Sequence, residues 1–470
     1  MYVRQILPLL LCLAIGACAS PTPNAVFDAS ATLLAAAQGA SELAGDSAGR
    51  RAIWEASSRL RSSVPRSARQ PELTREAFLL AVGRHDASMT TRLRAAWIAP
   101  HDDLKVRMAL VELAMRSLDY DSARALAWAA AEDFEEARPA LMRLWYRTFS
   151  ADPVFLPDNV MTLSFPGPID AIEHLGGGSS ITFRFRRAGQ TIAAFKPMQN
   201  RLQSNYRSEV AAYRLCPLIH CRFDVPHNRE VRISRQDFLA LNGRHSDSDV
   251  SRFDRRYDDL VWFEDEHGVD WLHGTMKEWI PEFRLLGIEF RSTWRPLVQH
   301  DREIRDDTIE ETMGQLFNTS NRSRTPRVGD IGDLDHDTLA RQISNLHVFD
   351  LMLNNWDRYS RHYTGVNCQW HHEQFVSIDN GAAFPLYRAH GTLASRVEYN
   401  FNQIEMFSER TVNSIRWMEP TALFPILFPT TPHHEEKQTF AAFMDRRKWF
   451  LEQLDERFDE FGEEAVLAFD

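Results

Sequence analysis

Cysteine is scarce, with five in 470 residues, and what there is forms neither a CxxC pair nor part of an HExxH-type metal motif, which argues against a zinc site. Net positive charge is missing as well. The formal charge is -11, which argues against a protein that grips nucleic acid through bulk phosphate neutralisation. The one local exception, Asn321 to Arg327 (NRSRTPR), reads as a solvated loop. The apolar run Ile6 to Ile15 is too short to span a bilayer. What is there is an ordinary globular composition, 44% hydrophobic, over a length that favours two or three domains and can bury substantial cores.

The first residues point to a compartment. Arg4 precedes the apolar run, which has the length of a secretory h-region, and the run ends in Ile15-Gly16-Ala17-Cys18. That tetrad resembles the bacterial lipobox, which implies a signal peptide over 1–17, lipidation of Cys18 and a short tether over 18–26. Several acyl chains on one cysteine make a stable membrane anchor. Ala19, rather than an aspartate, after the cysteine implies an outer-membrane lipoprotein facing the periplasm or the cell surface; a chance cysteine after an ordinary signal peptide is the alternative. Cys12 leaves with the signal. An oxidising compartment permits a bridge, and Cys216 and Cys221 (CPLIHC) are spaced for a small disulfide loop, with Cys368 left free.

From 27 to 152 the chain is rich in Ala, Leu and Arg, almost without glycine clusters, and reads as an all-α domain. Leu104, Met108, Val111, Met115 and Leu118 fall on one helical stripe. A faint echo between the segments around Trp97 and Trp128 suits either a helical adaptor for a protein partner or a plain bundle. Prolines from Pro153 to Pro168 mark a boundary, after which strand texture begins. Ile181 to Arg186 alternates with period two, a turn follows at Ala188-Gly189-Gln190, and Thr191 to Lys196 is a second strand. Before them stands Gly176-Gly177-Gly178-Ser179, a backbone able to approach an anionic oxygen.

Lys196 ends its strand in AAFK, as a nucleotide-binding lysine does in VAIK, and Glu209 lies on the next predicted helix, Ser204 to Leu218. A charged insertion runs from 222 to 266, and Trp271 to Ile280 reads as a last strand entering a hinge near Met276 to Glu278. Leu339, Ile343, Leu346, Phe349 and Leu353 then space a buried helix that delivers Asn354-Asn355-Trp356-Asp357. Two strands, Val366 to Trp370 and Phe375 to Ile378, lead to Asp379-Asn380-Gly381. A final helix from Thr439 carries a core stripe, Phe440, Phe443, Met444, Leu451, Leu454 and Phe458.

In that order GGGSSITFRF, GQTIAAFKPM, SEVAAYRL, NNWDR and SIDNGAAF resemble the secretory-pathway atypical kinases, the Golgi casein kinase-like family. The resemblance covers about Phe165 to Met418. It implies an α+β, bilobal kinase-like fold behind the all-α domain, with an N-lobe over 153–282 and a helical C-lobe over 283–470. It further implies ATP with Mg²⁺ or Mn²⁺ as cofactors, Gly176, Gly177, Gly178, Ser179, Met276 and Glu278 around the nucleotide, and Lys196 on its phosphates with Glu209 orienting it or helping to hold metal. Asp357 would orient the substrate hydroxyl and Asp379 would ligate metal. The kinase pattern places a metal asparagine where His362 stands, so that role is expected of Asn367 at the start of the hairpin instead, with Asp350, Asn354 and Asn355 shaping the loop. The expected activity is phosphoryl transfer from ATP to a Ser/Thr or sugar hydroxyl on a protein or glycan acceptor. A nucleotide-binding pseudokinase scaffold of the envelope and an AMP-transferring enzyme are the alternatives.

Overall fold

The structure, a computed structural model, describes residues 104–156, 160–165, 167–175, 180–201, 204–242, 258–280, 284–285, 291–300, 336–359, 368–371, 374–385, 394–429 and 434–469. The expectations for the signal peptide, tether and Cys18, for Gly176 to Ser179, for the basic run and for His362 and Asn367 lie outside the described residues, as do residues 243–257 of the expected charged insertion, whose described remainder is ordered into strands Asn228–Ser234 and Trp262–Glu264 and helix Arg235–Asn242 of the same unit. The chain divides into two units, Met1–Ala151 and Asp152–Asp470.

The described part of the first unit is three helices, α1 (Leu104–Arg116), α2 (Tyr120–Asp133) and α3 (Arg138–Ala151). Asp119 caps α2 by accepting from the Ser122 N–H at 3.1 Å, which satisfies one of the donors a helix start leaves open. Trp128 and Trp145 pack at 5.4 Å between ring centroids, and Tyr146 and Phe149 lie against Trp145. The stripe expected on α1 needs correction. Val111 and Met115 are buried, joined by Leu113 and Ala114, but Met108 and Leu118 are exposed. Leu118 sits past the helix end at φ 60, where the chain reverses into α2 and the helical period no longer applies.

The second unit is α+β. Its strands and helices follow as β1 (Met161–Leu163), β2 (Ala171–His174), β3 (Phe183–Arg187), β4 (Gln190–Pro197), α4 (Tyr206–Leu218), β5 (Asn228–Ser234), α5 (Arg235–Asn242), β6 (Trp262–Glu264) and β7 (Asp270–Glu278). There follow β8 (Arg284–Leu285), α6 (Arg291–Trp294), α7 (His336–Leu353), β9 (Cys368–His371), β10 (Gln374–Ser377), α8 (Ala394–Phe401), α9 (Glu409–Arg416), α10 (Pro420–Leu427), α11 (His434–Phe461) and α12 (Glu463–Val466). The early strands form one sheet in the order β1-β5-β7-β4-β3-β2, with β6 also on β7, antiparallel except for β1 beside β5.

Period-two chemistry builds this sheet. Phe183, Phe185 and Phe195 point into a core with Ile172, Val231, Ile233, Phe238 and Leu272, while Arg184 and Arg186 lie on the opposite face. Arg186 reaches across to Glu173 on β2 at 3.0 Å. The β3–β4 turn is Ala188-Gly189, with φ of 48° and 78°, the pair of positive angles a two-residue hairpin of this twist requires.

The later helices make the other half of the unit. Leu339, Ile343, Leu346, Phe349 and Leu353 are all fully buried on α7, as their spacing predicts. The polar residues between them are buried too, each held by a partner from another segment. Gln342 accepts from Phe375 N at 2.8 Å, Ser344 donates to Met406 O at 2.8 Å, and Asn345 donates to Cys221 O at 2.9 Å. Helix α7 is therefore the axis of this half. On α11, Phe443, Phe450 and Leu454 are the fully buried residues, and the remaining members of the expected stripe flank them. The smaller sheet, β10-β9-β8, pairs Gln374 with His371, so the β9–β10 strands run Cys368–His371 and Gln374–Ser377, and Ile378 belongs to the turn that follows.

Candidate active site

Lys196, next to last in β4, is buried where central β7 covers one edge of the strand. Asn205 caps α4, accepting from Arg207 N at 3.0 Å, which places Glu209 in the first turn, turned inward and fully buried. The ammonium of Lys196 donates to Glu209 Oε1 at 3.0 Å and also to Asp379 Oδ1. Burial alone would lower the pKa of Lys196, but the carboxylates of Asp379 and Glu209 outweigh it and hold the amine above its usual range. Burial would likewise push Glu209 up, and Lys277 and then Lys196 bring it below the usual carboxylate range. Lys196 and Glu209 are thus held as a buried ion pair.

Asp379 stands at φ 54, ψ 55, a left-handed conformation that aspartate tolerates better than most side chains. Its neighbours fix it there. Asn380 N donates to Glu209 Oε2 at 3.0 Å, and Asn205 N donates to Gly381 O at 3.0 Å, so the Asp-Asn-Gly turn is pinned to the start of α4 from two sides. Gly381 has to lack a side chain, because a Cβ there would run into Lys196 Nζ.

The second acidic turn, Trp356–Tyr359, is attached through Arg358. This fully buried guanidinium donates to Asp350 Oδ2 at 2.6 Å, to Ser377 Oγ at 2.6 Å and to Asn380 Oδ1 at 2.8 Å. Tyr359 adds a bond to Asp350 at 2.7 Å and meets His347 Nδ1 at 2.8 Å, and Asn355 donates to Asn380 Oδ1 at 3.0 Å. Asp350 and Asn355 thus hold the loop in shape. Asp357, beside Arg358, is half-buried on that turn. The buried imidazole of His347 is pulled down to about 3 by burial and by Arg358, so it is neutral at physiological pH.

The structure brings Lys196, Glu209 and Asp379 into direct contact and ties the Asp357 turn to them through one arginine. Met276 lies within β7 and Glu278 at its end, where the strand stops. Met276 stands between Phe195 and Arg229 and packs partly against the sheet core. Glu278 is exposed at the strand end, its N–H given to His227 O at 2.9 Å. The expected Cys216–Cys221 bridge is replaced by two free, buried thiols. The chain turns after α4 so that Cys221 N donates to Cys216 O at 3.1 Å and Cys216 Sγ faces Phe223 O at 3.6 Å. Burial raises both thiols above their ordinary pKa.

Sequence reasoning missed Ser377, Asn380 and Lys277 as members of the site. Asn380 carries a visible signal, its place inside Asp-Asn-Gly. Lys277 carries none, since a lysine near a strand end is ordinarily solvated. Here its ammonium donates to Glu209 Oε2 at 2.9 Å.

Asp379 also answers the question of a divalent cation. Its side chain is 42% exposed and offers a hard oxygen, and Mg²⁺ typically takes one or two carboxylates together with phosphate oxygens and water. Among the described residues no cluster of three or more His, Cys, Asp or Glu could hold a metal by itself, so Asp379 offers one carboxylate, one oxygen of which is held by Lys196, and the remaining ligands of a cation would have to come from a nucleotide and water.

No protein-family model matches the chain, and no curated protein does. Among solved structures it is similar to a Golgi casein kinase, at 14% identity over 68% of this chain and 83% of that one, with a TM-score of 0.39. A Golgi casein kinase with Mn/ADP bound is 15% identical over 64% and 75% of the two chains, TM-score 0.38. A hydra Fam20 with sugar is 14% identical over 68% and 92%, TM-score 0.38.

Proposed function

We propose that the chain is a metal-dependent phosphotransferase that moves the γ-phosphoryl group of ATP to a Ser/Thr or sugar hydroxyl, and that it acts from a lipid anchor on Cys18. The observation that carries the reaction is the Lys196–Glu209–Asp379 cluster joined through Asn380 and Arg358 to the Asp357 turn. Phosphoryl transfer asks for a cation on the nucleotide phosphates, a carboxylate for metal, and a second carboxylate near the attacking hydroxyl, all held in fixed relation. Lys196 supplies the first, Asp379 the second and Asp357 the third. Asp379 would hold a divalent cation, whose chemistry when bound is charge neutralisation on the nucleotide phosphates. The chain's own work is to position. Glu209 aims Lys196, and the Arg358 network fixes the spacing of the two aspartates.

The test is incubation of the full chain with γ-labelled and α-labelled ATP and Mn²⁺, beside Asp379→Ala and Asp357→Ala. Acid-stable label from the γ position, lost in both variants, is expected. Label from the α position alone indicates AMP transfer, and no label from either overturns the enzyme reading. The anchor is tested separately: Cys18→Ala moves the protein from the membrane to the soluble fraction, and continued membrane association overturns the lipoprotein reading.

A further inference from the structure

We propose that Lys277 is a positioning residue, the standing counter-ion of Glu209 that lets Lys196 leave this carboxylate for a nucleotide phosphate. The inference rests on the nucleotide-binding reading above. In protein kinases one strand lysine pairs with one helix glutamate. Here the glutamate has two lysines, one on each oxygen, from two adjacent strands: Lys196 of β4 on Oε1 at 3.0 Å and Lys277 of β7 on Oε2 at 2.9 Å.

The arrangement solves an electrostatic problem. Glu209 is fully buried, and a buried carboxylate stripped of its cation is strongly unfavourable. With Lys196 as sole partner, every move of Lys196 toward a phosphate would have to overcome that penalty. With Lys277 in place, Glu209 keeps one ammonium and the Asn380 N–H whatever Lys196 does. Against the burial that raises Glu209, Lys277 exerts the largest opposing attraction, ahead of Lys196.

The two lysines are also differently free to move. Lys196 is shared between Glu209 and Asp379, the latter on a half-exposed side chain that a metal would claim. Lys277 has Glu209 as its ion-pair partner and lies on a strand with Ala194 of β4 on one side and Asn228 of β5 on the other. One lysine is placed to be redirected and the other to remain.

The experiment measures equilibrium binding of a fluorescent ATP analogue with Mn²⁺ to the full chain, for wild type, Lys277→Met, Glu209→Gln and the double variant Glu209→Gln/Lys277→Met. Lys277→Met is expected to weaken binding by about tenfold or more, because Lys196 becomes captive to a bare carboxylate. The double variant, with no buried charge left to compensate, recovers binding to within about twofold of Glu209→Gln. A lysine that merely supported the fold, or that touched the ligand itself, would give no such recovery. Wild type that binds while Lys277→Met binds equally well overturns this inference alone, as does a double variant that stays as weak as Lys277→Met. Wild type that does not bind overturns the nucleotide reading and this inference with it. Should Lys277→Met not fold, Lys277→Arg and the double variant carry the test: Lys277→Arg binds within about twofold of wild type and the double variant within about twofold of Glu209→Gln, and a loss of about tenfold against its own reference in either overturns the inference.

Discussion

Arg358 donates from Nη2 to Oδ1 of Asn380 at 2.8 Å. One residue before Arg358 is Asp357, and one before Asn380 is Asp379, so this single bond sets the relation between the two acidic turns of the site. It is reinforced by Ser377, which accepts from Arg358 and donates to Asn380 at 3.0 Å.

Arg358→Met removes the basic group paired with Asp350 in a fully buried ion pair. A carboxylate left alone in such a place costs about 3–5 kcal/mol, and urea unfolding should show a loss of that order. Asp350→Asn in the same chain should return a large part of it. Transfer activity should not return in full, since Asn380 has lost its bond to the Asp357 turn itself and keeps only that from Asn355 ahead of it.

Gly381→Ala places a methyl group against Lys196 Nζ, with Cε at 3.1 Å and Glu209 Oε1 at 3.4 Å. The expected outcome is a modest stability cost, about 1–3 kcal/mol for overpacking, with a disproportionate loss of Mn²⁺-ATP binding. Calorimetric titration beside urea unfolding separates the two. Unchanged binding would show that Lys196 is not required where it stands.

Acid stability should follow the histidines. His347 and His220 are each pulled down to about 3 by burial, with Arg358 adding to this at His347 and Arg410 and Arg222 at His220. Their unfolded value is about 6.5, so between about pH 6.5 and 3 the unfolded chain binds more protons than the folded one. Their stabilising contribution is complete above about 6.5 and is lost as pH falls toward 3, at about 1.4 kcal/mol per pH unit for each. His220 stands at φ 51, which asparagine accepts, so His220→Asn should reduce the slope of unfolding free energy against pH by about one proton.

Cys216 and Cys221 should resist a thiol reagent in the folded protein and react on unfolding, because the thiolate is the reactive form and burial disfavours it. Peptide mapping after alkylation in native and denaturing conditions checks this. A Cys216–Cys221 cross-link recovered under non-reducing conditions would restore the disulfide expectation.

Much of the fold was legible because two periodicities are written plainly. Phe183-Arg184-Phe185-Arg186 alternates and is a strand with one face in the core, and the Leu339 to Leu353 stripe is a buried helix. The readings that failed did so at ends and turns. Leu118 continued a helical spacing into a reversal of the chain, and Met276 was read as connector where β7 still had a neighbour on each side. Local pattern does not say where an element stops when its neighbour in space decides the matter.

The sequence by itself determined the identities and order of the charged residues: a lysine closing a strand, a glutamate in the first turn of the next helix, an Asp-Arg pair after a buried helix, and Asp-Asn-Gly after a hairpin. Only the tertiary structure decided which of these charges meet. Lys196 finds Asp379 across 183 residues of chain, Asn380 gives its N–H to Glu209 across 171, and Lys277, silent in the sequence, joins Glu209 from a strand that reaches it only by lying beside β4. The reason is physical. A buried charge takes as partner whatever the fold brings within hydrogen-bonding reach, and that distance is a property of the packed sheet and helices rather than of spacing along the chain.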